Sequence, residues 1–433
     1  MQLENMIKIW KGKIEDCVDI LHVNAIVNSA HPTLMGSTNH VDGAIHNMVN
    51  SKNETTDFFK KEIIKQFSDK VHTENERVIR CERGKAVITK GYGLCDWIIH
   101  AVGPKSDRND GRFGYSSSCI EMLTDCYRNI MDIIFEYPSI EKVAIPVISA
   151  GNYGIDFEYA FRIGLTTVYN EILEKKRKKR ELFDKISLHE IYFVIPDEQK
   201  NYEKACIIFD EYRPIFEKEH RVVARKSYAS LKEFYKEVYL YDNQRGYFAV
   251  AKKVRQILLI FRTVFGAWSV LKDKIGKWDW EIRRQTVEVT AIIKMLIPVF
   301  IMFFAVVTKL RGFFCLGAEF VILYNLIDTI TYLLALMFLA DIQRPSANVI
   351  RSLVLLIINY IEVELEISAI YLLNHIEMRN GTSIREAVEF VIHTQDNGFS
   401  WLQYGNKIIN FFFVTVVFSY FSNHIRQRKF RTN

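Results

Sequence analysis

Over the first half of the chain, short apolar runs alternate with longer segments whose apolar residues recur every three or four positions. The runs at 6–10, 25–27, 86–88, 97–102, 143–148 and 191–195 predict strands, and the periodicity over 58–67, 119–135, 157–173 and 202–212 predicts helices. Strands separated by helices of this length imply a layered α/β sheet. Beyond residue 291 the pattern changes to apolar runs at 292–307, 313–340, 352–373 and 408–421, near or above the roughly 20 residues a spanning helix needs. An all-α membrane part of about four spans is expected. Between the two halves, Val254, Leu258, Ile260 and Phe261 recur at helical spacing and predict amphipathic helices. Trp268, Trp278 and Trp280, set among lysines and arginines, suit either a bilayer surface or a helix pair packed on the soluble part. The expected boundaries are 1–217 for the α/β domain, 218–290 for the linker, 291–424 for the membrane domain and 425–433 for a basic tail.

Two stretches of the soluble half carry candidate chemistry. The apolar run 25–27 is stopped by Asn28-Ser29-Ala30-His31-Pro32, and Ile45 with Met48 or Val49 marks a helix starting near Asp42. First-turn amides at such a helix attract phosphate, and the crevice beyond the carboxyl ends of strands is where open α/β sheets bind ligands. An ordinary strand-loop-helix connection fits the spacing equally well. The second stretch, Ser149-Ala150-Gly151-Asn152-Tyr153-Gly154, places two glycines and small side chains at a strand end. A backbone can approach phosphates closely there and donate N–H groups, or simply turn.

These stretches resemble a known family. Asn28-Ser29-Ala30 with Pro32, Leu34 and Gly36, followed by Val41-Asp42-Gly43-Ala44-Ile45-His46, is similar to the first ligand loop of macrodomains, modules that bind ADP-ribose and related nucleotides. Three further segments follow in family order: Gly84-Lys85-Ala86-Val87-Ile88-Thr89, Trp97-Ile98-Ile99-His100-Ala101-Val102-Gly103-Pro104, and Ala144-Ile145-Pro146-Val147-Ile148 running into the second stretch. The resemblance covers roughly residues 6–216. It implies a three-layer α/β/α fold with a mixed sheet, and an ADP-ribose-type ligand bound without a cofactor or metal. It further implies a ligand set of Ile14, Asp16, Asn28, His31, His40, Val41, Asp42, Gly43, Ala44 and Ile45 from the first loop side. Ser149, Ala150, Gly151, Asn152, Tyr153 and Gly154 form the second loop, with Tyr153 covering the distal ribose.

The chain also departs from the family pattern. Where macrodomains usually read Gly-Asp-Ile to hold the adenine amino group, Lys13 stands here, and Asp16 or Asp19 is left to accept that bond. In hydrolytic members an asparagine occupies the position of His31, and glycines occupy that of Ser37-Thr38-Asn39-His40. The aspartate that helps activate water is retained as Asp42. The added Cβ atoms imply a reshaped pocket, and His31 can carry charge near neutrality. Binding without efficient turnover is the favoured expectation; a membrane-tethered hydrolase with Asp42 as its catalytic residue, or a reader of ADP-ribosylated proteins, is the alternative.

Composition adds less. The net charge of +6 over 433 residues does not argue for nucleic acid. The seven cysteines, without a C-x-x-C pair, read as reduced thiols. The opening residues show no secretory signal, and the basic run 175–180 reads as a solvated helix end. Basic residues before the first expected span and after the last place both ends in the cytoplasm, as a multi-pass cell-membrane protein with an even span number requires. Glu319, Asp328, Glu362 and Glu366 fall inside apolar runs, where such acids line a cation pathway or pack helices together. A short helix over 383–393, a polar turn over 394–399 and a final span resemble the pore loop of two-helix cation channels, without the potassium filter sequence.

A macrodomain followed by spans is similar in domain order to the membrane-linked macrodomain effectors of bacterial antiphage defence, such as Thoeris systems. That likeness implies an NAD-derived signal, a TIR-domain enzyme that makes it, a homo-oligomer in the lipid bilayer and membrane damage as output.

Overall fold

The computed structural model describes residues 3–37, 40–68, 71–74, 77–106, 115, 117–178, 183, 186–196, 198–222, 235, 238–239, 242, 248–309, 312–339, 349–377, 383–392 and 401–413. Thr38, Asn39, the turn 394–399, the end of the expected fourth span and the basic tail lie outside them. The chain forms two compact units, Met1–Glu237 with Trp278–Glu281, and Val238–Lys277 with Ile282–Asn433.

In the first unit the strands are β1 (Ile7–Lys11), β2 (Ala25–Ser29), β3 (His72–Glu74), β4 (Arg77–Ile79), β5 (Ala86–Lys90), β6 (Trp97–Ala101), β7 (Lys142–Pro146) and β8 (Glu190–Ile195). Six of them make one sheet in the order β1-β8-β7-β2-β6-β5. Neighbours pair in parallel except β5, which runs antiparallel to β6, so the sheet is mixed. The apolar run of β2 is buried throughout, as a central strand covered on both faces requires. β3 and β4 form a separate hairpin that the hydrophobic pattern does not announce, because they are short and largely exposed.

Helices cover both faces: α1 (Cys17–Leu21), α2 (His40–Lys52) and α3 (Phe58–Gln66) on one, α4 (Ser117–Glu136), α5 (Phe157–Lys178) and α6 (Gln199–Glu217) on the other. Alternate strand residues sort accordingly. Ile26, Ile98, Ala144 and Val194 join Ile45, Val49, Phe59 and Ile63 in one core. Val27, Ile99, Val143, Ile145 and Phe193 join Tyr127, Phe161, Tyr169 and Tyr212 in the other. This is the expected three-layer arrangement. α2 starts at His40, two residues ahead of the expected Asp42, so Asp42 lies inside the first turn, near the positive end of the helix dipole.

The second unit is helical: α7 (Ala249–Phe265), α8 (Ala267–Ile275), α9 (Trp280–Thr308, whose first two residues belong to the first unit), α10 (Phe313–Phe338), α11 (Val349–Glu377), α12 (Ile384–Ile392) and α13 (Trp401–Phe411). α7 and α11 both pack on α10, and α12 and α13 pack on α11. The start of α12 is fixed by a capping box, in which Glu386 N donates to Ser383 Oγ at 3.2 Å and Ser383 N to Glu386 Oε2 at 3.0 Å. Among the described residues two helices, α9 and α10, are long and apolar enough to cross a membrane.

Candidate functional site

The carboxyl end of β2 carries a buried polar floor. Asn28 Nδ2 donates to Asp42 Oδ1 at 2.7 Å and reaches His100 Nδ1 at 3.2 Å. An amide nitrogen can only donate, so His100 Nδ1 accepts, and its proton sits on Nε2 facing Thr89 Oγ1 at 3.1 Å. The β2–β6 register places Asn28 beside His100, and α2 brings Asp42 and His46 over the strand end. His46 Nε2 stands 3.7 Å from Asp42 Oδ1 and its ring packs on Phe59 with centroids 4.7 Å apart.

Burial sets the charges of this floor. It pushes the His100 imidazole down to about 3, with the His46 charge adding, and His46 down to about 4, with Lys60 adding. Both rings are therefore neutral at pH 7, and the His46–Asp42 approach is not an ion pair. Burial pushes the Asp42 carboxyl up, opposed by the bonds from Asn28 and the His31 backbone. Among the described residues, Asn28 Oδ1, Asp42 Oδ2, both His46 ring nitrogens and Ser149 Oγ are buried without a hydrogen-bond partner. A water, an ion or a polar ligand can satisfy buried polar atoms of this kind.

The walls come from the two loops. In the first, Pro32 O accepts from Arg80 N at 2.9 Å and Cys81 N at 3.1 Å, and Arg80 Nη1 donates to Thr33 O at 3.0 Å, so the end of the β3–β4 hairpin braces the turn. His31 is half-buried with Nδ1 2.9 Å from Thr33 Oγ1. Burial, with the Arg77 and Arg83 charges adding, holds its imidazole below the usual range, so it is neutral rather than charged at neutral pH. In the second loop Ser149 adopts φ +65°, unusual for a residue with a side chain, and accepts from Ile155 N at 3.0 Å. Gly154 N closes onto Gly151 O at 2.8 Å. Gly103 lies so near that a Cβ there would fall 2.1 Å from Ser149 Oγ. Tyr153 lies under the Arg83 guanidinium, 5.1 Å from its ring centre. Burial pushes its hydroxyl up, opposed by the Arg83 charge and hydrogen bond, with the Asp42 charge adding a little.

The Macro domain family model matches residues 27–164. A macro domain-containing protein of Chlorobaculum tepidum is 33% identical over 164 residues, 38% of this chain and 80% of the relative. The chain belongs to the macro domain family. A macro domain-containing protein of Methanosarcina mazei is 33% identical over 39% of this chain and 74% of its own length. Mouse ADP-ribose glycohydrolase MACROD1 is 32% identical over 41% of this chain, which spans only 46% of that relative. Among solved structures, the Oceanobacillus iheyensis macrodomain with ADP aligns with half of this chain (50%) and 96% of its own, at 22% identity and a TM-score of 0.37.

Within the macro domain, Asn28 and Asp42 pair in the interior and Ser149 is buried in the second loop, while His31, Val41, Ala44, Ala150 and Tyr153 are half-buried and His40, Gly151, Asn152 and Gly154 lie exposed. Gly43 and Ile45 are buried supports of α2. Ile14 is buried with Ala30, Leu34 and Ile45, and Asp16, expected to hold an adenine amino group, is exposed at the end of the turn Ile14–Asp16. Residue-type reasoning passed over His46, His100 and Thr89 as floor residues, although all three stand inside the family motifs. It also passed over Arg80 and Arg83, which act through the backbone and a ring face and leave no spacing signal. The thiols play no part here: burial pushes Cys17, Cys81 and Cys95 up to about 12, and they stay protonated.

The second unit gathers three of its four singled-out acids. Lys294 of α9 lies 2.8 Å from Asp328 of α10 and 3.3 Å from Glu362 of α11. Thr329 Oγ1 donates to Glu362 at 2.7 Å, and Asn325 Nδ2 donates to Glu366 at 2.6 Å. Glu319 stands half-buried about two and a half turns before Asp328 on α10. Lys294 was the missing partner, a lone cation in the apolar run that is as costly there as any acid.

Proposed function

We propose that the macro domain binds an ADP-ribose-type nucleotide in the crevice between residues 31–42 and 149–154. The helical unit, on this reading, sits in the cell membrane and converts binding into pore opening or bilayer disruption. The observation that carries the first part is the buried Asn28–Asp42 pair at the end of β2, whose remaining oxygens have no hydrogen-bond partner among the described residues. A ribose hydroxyl can satisfy these oxygens, and the α2 first turn and the loop backbone suit a diphosphate. The name of the mouse relative, ADP-ribose glycohydrolase MACROD1, supports that ligand class.

The second part rests on α9 and α10 and on the large apolar side chains they expose, among them Phe300, Phe303, Phe304, Phe313, Phe314 and Phe320. Such surface in water would be a strong aggregation liability, whereas acyl chains cover it. Four spans, assembly into a homo-oligomer, a TIR-domain partner and antiphage signalling extend this reading. Calorimetry of the full chain in detergent, comparing ADP-ribose, its conjugated derivatives and ADP, tests the ligand; dye release from vesicles carrying the protein tests the output. Saturable binding with nucleotide-dependent release supports both parts. Retention of Asp42 keeps hydrolysis as the second reading: nucleotide-independent membrane behaviour, with ADP-ribose freed from a modified protein in an Asp42-dependent way, would favour a membrane-tethered hydrolase.

A further inference from the structure

Four residues at the entry to the first membrane-type helix, Trp278–Glu281, belong to the macro domain unit. Trp278 and Asp279 are 7% and 5% exposed, against two macro domain helices. The Trp278 ring lies 4.7 Å from the Arg162 guanidinium of α5 and 5.7 Å from the Tyr212 ring of α6. Asp279 Oδ2 pairs with His220 Nδ1 at 2.9 Å, and Asp279 forms a β-bridge with Val222. Trp280 N donates to Arg221 O at 2.7 Å, Arg221 N donates to Glu281 Oε2 at 2.8 Å, and Glu281 Oε1 pairs with Arg177 of α5 at 3.1 Å. Side chain, backbone and charge all hold the same short segment, which a passive linker does not require.

What holds the segment also touches the nucleotide loop. α5 begins three residues after that loop, with Ile155 N bonded to Ser149 O and Ala160 N to Asp156 O at 2.9 Å. Twenty-two residues long, or about 33 Å, it is buried from Ala160 to Tyr169 in the core and cannot bend cheaply. Arg162 near its start and Arg177 near its end both grip the segment, and Asn170 between them clasps Val222 through N and O at 3.0 and 2.9 Å. The segment then runs without a break into α9, which begins at Trp280 and continues to Thr308.

We propose that Trp278–Glu281 is the coupling segment of the molecule, through which α5 passes nucleotide occupancy of the 149–154 loop to the first membrane-type helix. The proposal rests on the nucleotide reading above, and its test separates the two. Hydrogen exchange is followed by mass spectrometry on the full chain in detergent, with and without saturating ADP-ribose, alongside calorimetry. ADP-ribose should slow exchange in peptides covering 149–156 and also change exchange over 278–285 by about fivefold or more, the lower end of ordinary coupling between sites. Glu281→Arg should abolish the second response and keep the first, and Arg177→Glu with Glu281→Arg should restore it. Trp278→Ala, a second route to the same break, should leave calorimetric affinity within about twofold, since it touches no ligand contact, while losing the response at 278–285. Nucleotide bound without a change over 278–285, or a response that survives both single variants, overturns the proposal and leaves the binding site standing. Absence of binding by calorimetry removes the site and the coupling together.

Discussion

Acid should loosen the macro domain through the two histidines of its floor. His100 and His46 are held at about 3 and about 4 in the folded chain, against about 6.5 when unfolded. Because the folded values are depressed, the unfolded chain takes up protons first as pH falls. The stability tied to the neutral rings is complete above pH 6.5 and drains away as pH drops toward the folded values. At pH 4.5 each ring has lost between about 2 and 3 kcal/mol, together about 5, a large part of the 5–15 kcal/mol that holds a typical domain. Asp42, whose carboxyl burial pushes up, shifts the balance the other way, because its charged form is the costly one in the fold. A non-titrating replacement isolates the histidine contribution. Urea melts of the full chain in a non-ionic detergent, read by pulse proteolysis of the macro domain, should show a midpoint about 2 M lower at pH 4.5 than at pH 7. His100→Asn, which keeps a polar side chain beside Asn28 and Thr89, should remove about half of that pH dependence, whatever it does to stability at pH 7. An equal midpoint at the two pH values, or an undiminished acid shift in His100→Asn, would refute neutral buried rings as the basis of the floor.

Other changes should act locally. Asp42→Ala removes the acceptor for Asn28 and a polar atom aimed at the crevice, and should weaken ADP-ribose binding by about 10- to 100-fold in calorimetry. Gly103→Ala drives a methyl to 2.1 Å from Ser149 Oγ and 2.6 Å from Ile148 Cγ2, so both side chains must shift; about tenfold weaker binding is expected with the melting temperature shifting less than for a core cavity. In the helical unit, Lys294→Met strands Asp328 and Glu362 in the interior and should cost about 3–5 kcal/mol in detergent melts. Lys294→Met combined with Asp328→Leu should recover part of that loss.

The sequence made the site's outline legible because the chemistry lies in backbone placement. Small residues and glycines at the ends of β2 and β7 are needed for a close approach, and a run of buried apolar residues ending in such a cluster is visible without coordinates. The strands were equally plain, since β2, β6 and β7 are covered on both faces and read as unbroken apolar runs. The floor was hidden in part: Asn28 and His100 pair through strand register, which a linear pattern does not encode, and His31 lost its expected charge to burial. The membrane-type acids were visible one by one, but their grouping around Lys294 depends on three helices meeting, and Asn325 and Thr329 complete it from an apolar run. Trp278 suited a bilayer surface or packing on the soluble part equally, and it is buried against Arg162 and Tyr212 because an aromatic face and a guanidinium meet only in the fold.

The most direct test of the central claim is a structure of the full chain with ADP-ribose. The diphosphate should lie between the α2 first turn and the 149–154 loop, with a ribose hydroxyl on the Asn28–Asp42 pair and Tyr153 over the distal sugar. A nucleotide bound elsewhere, or that crevice closed by its own side chains at saturating ligand, would contradict it.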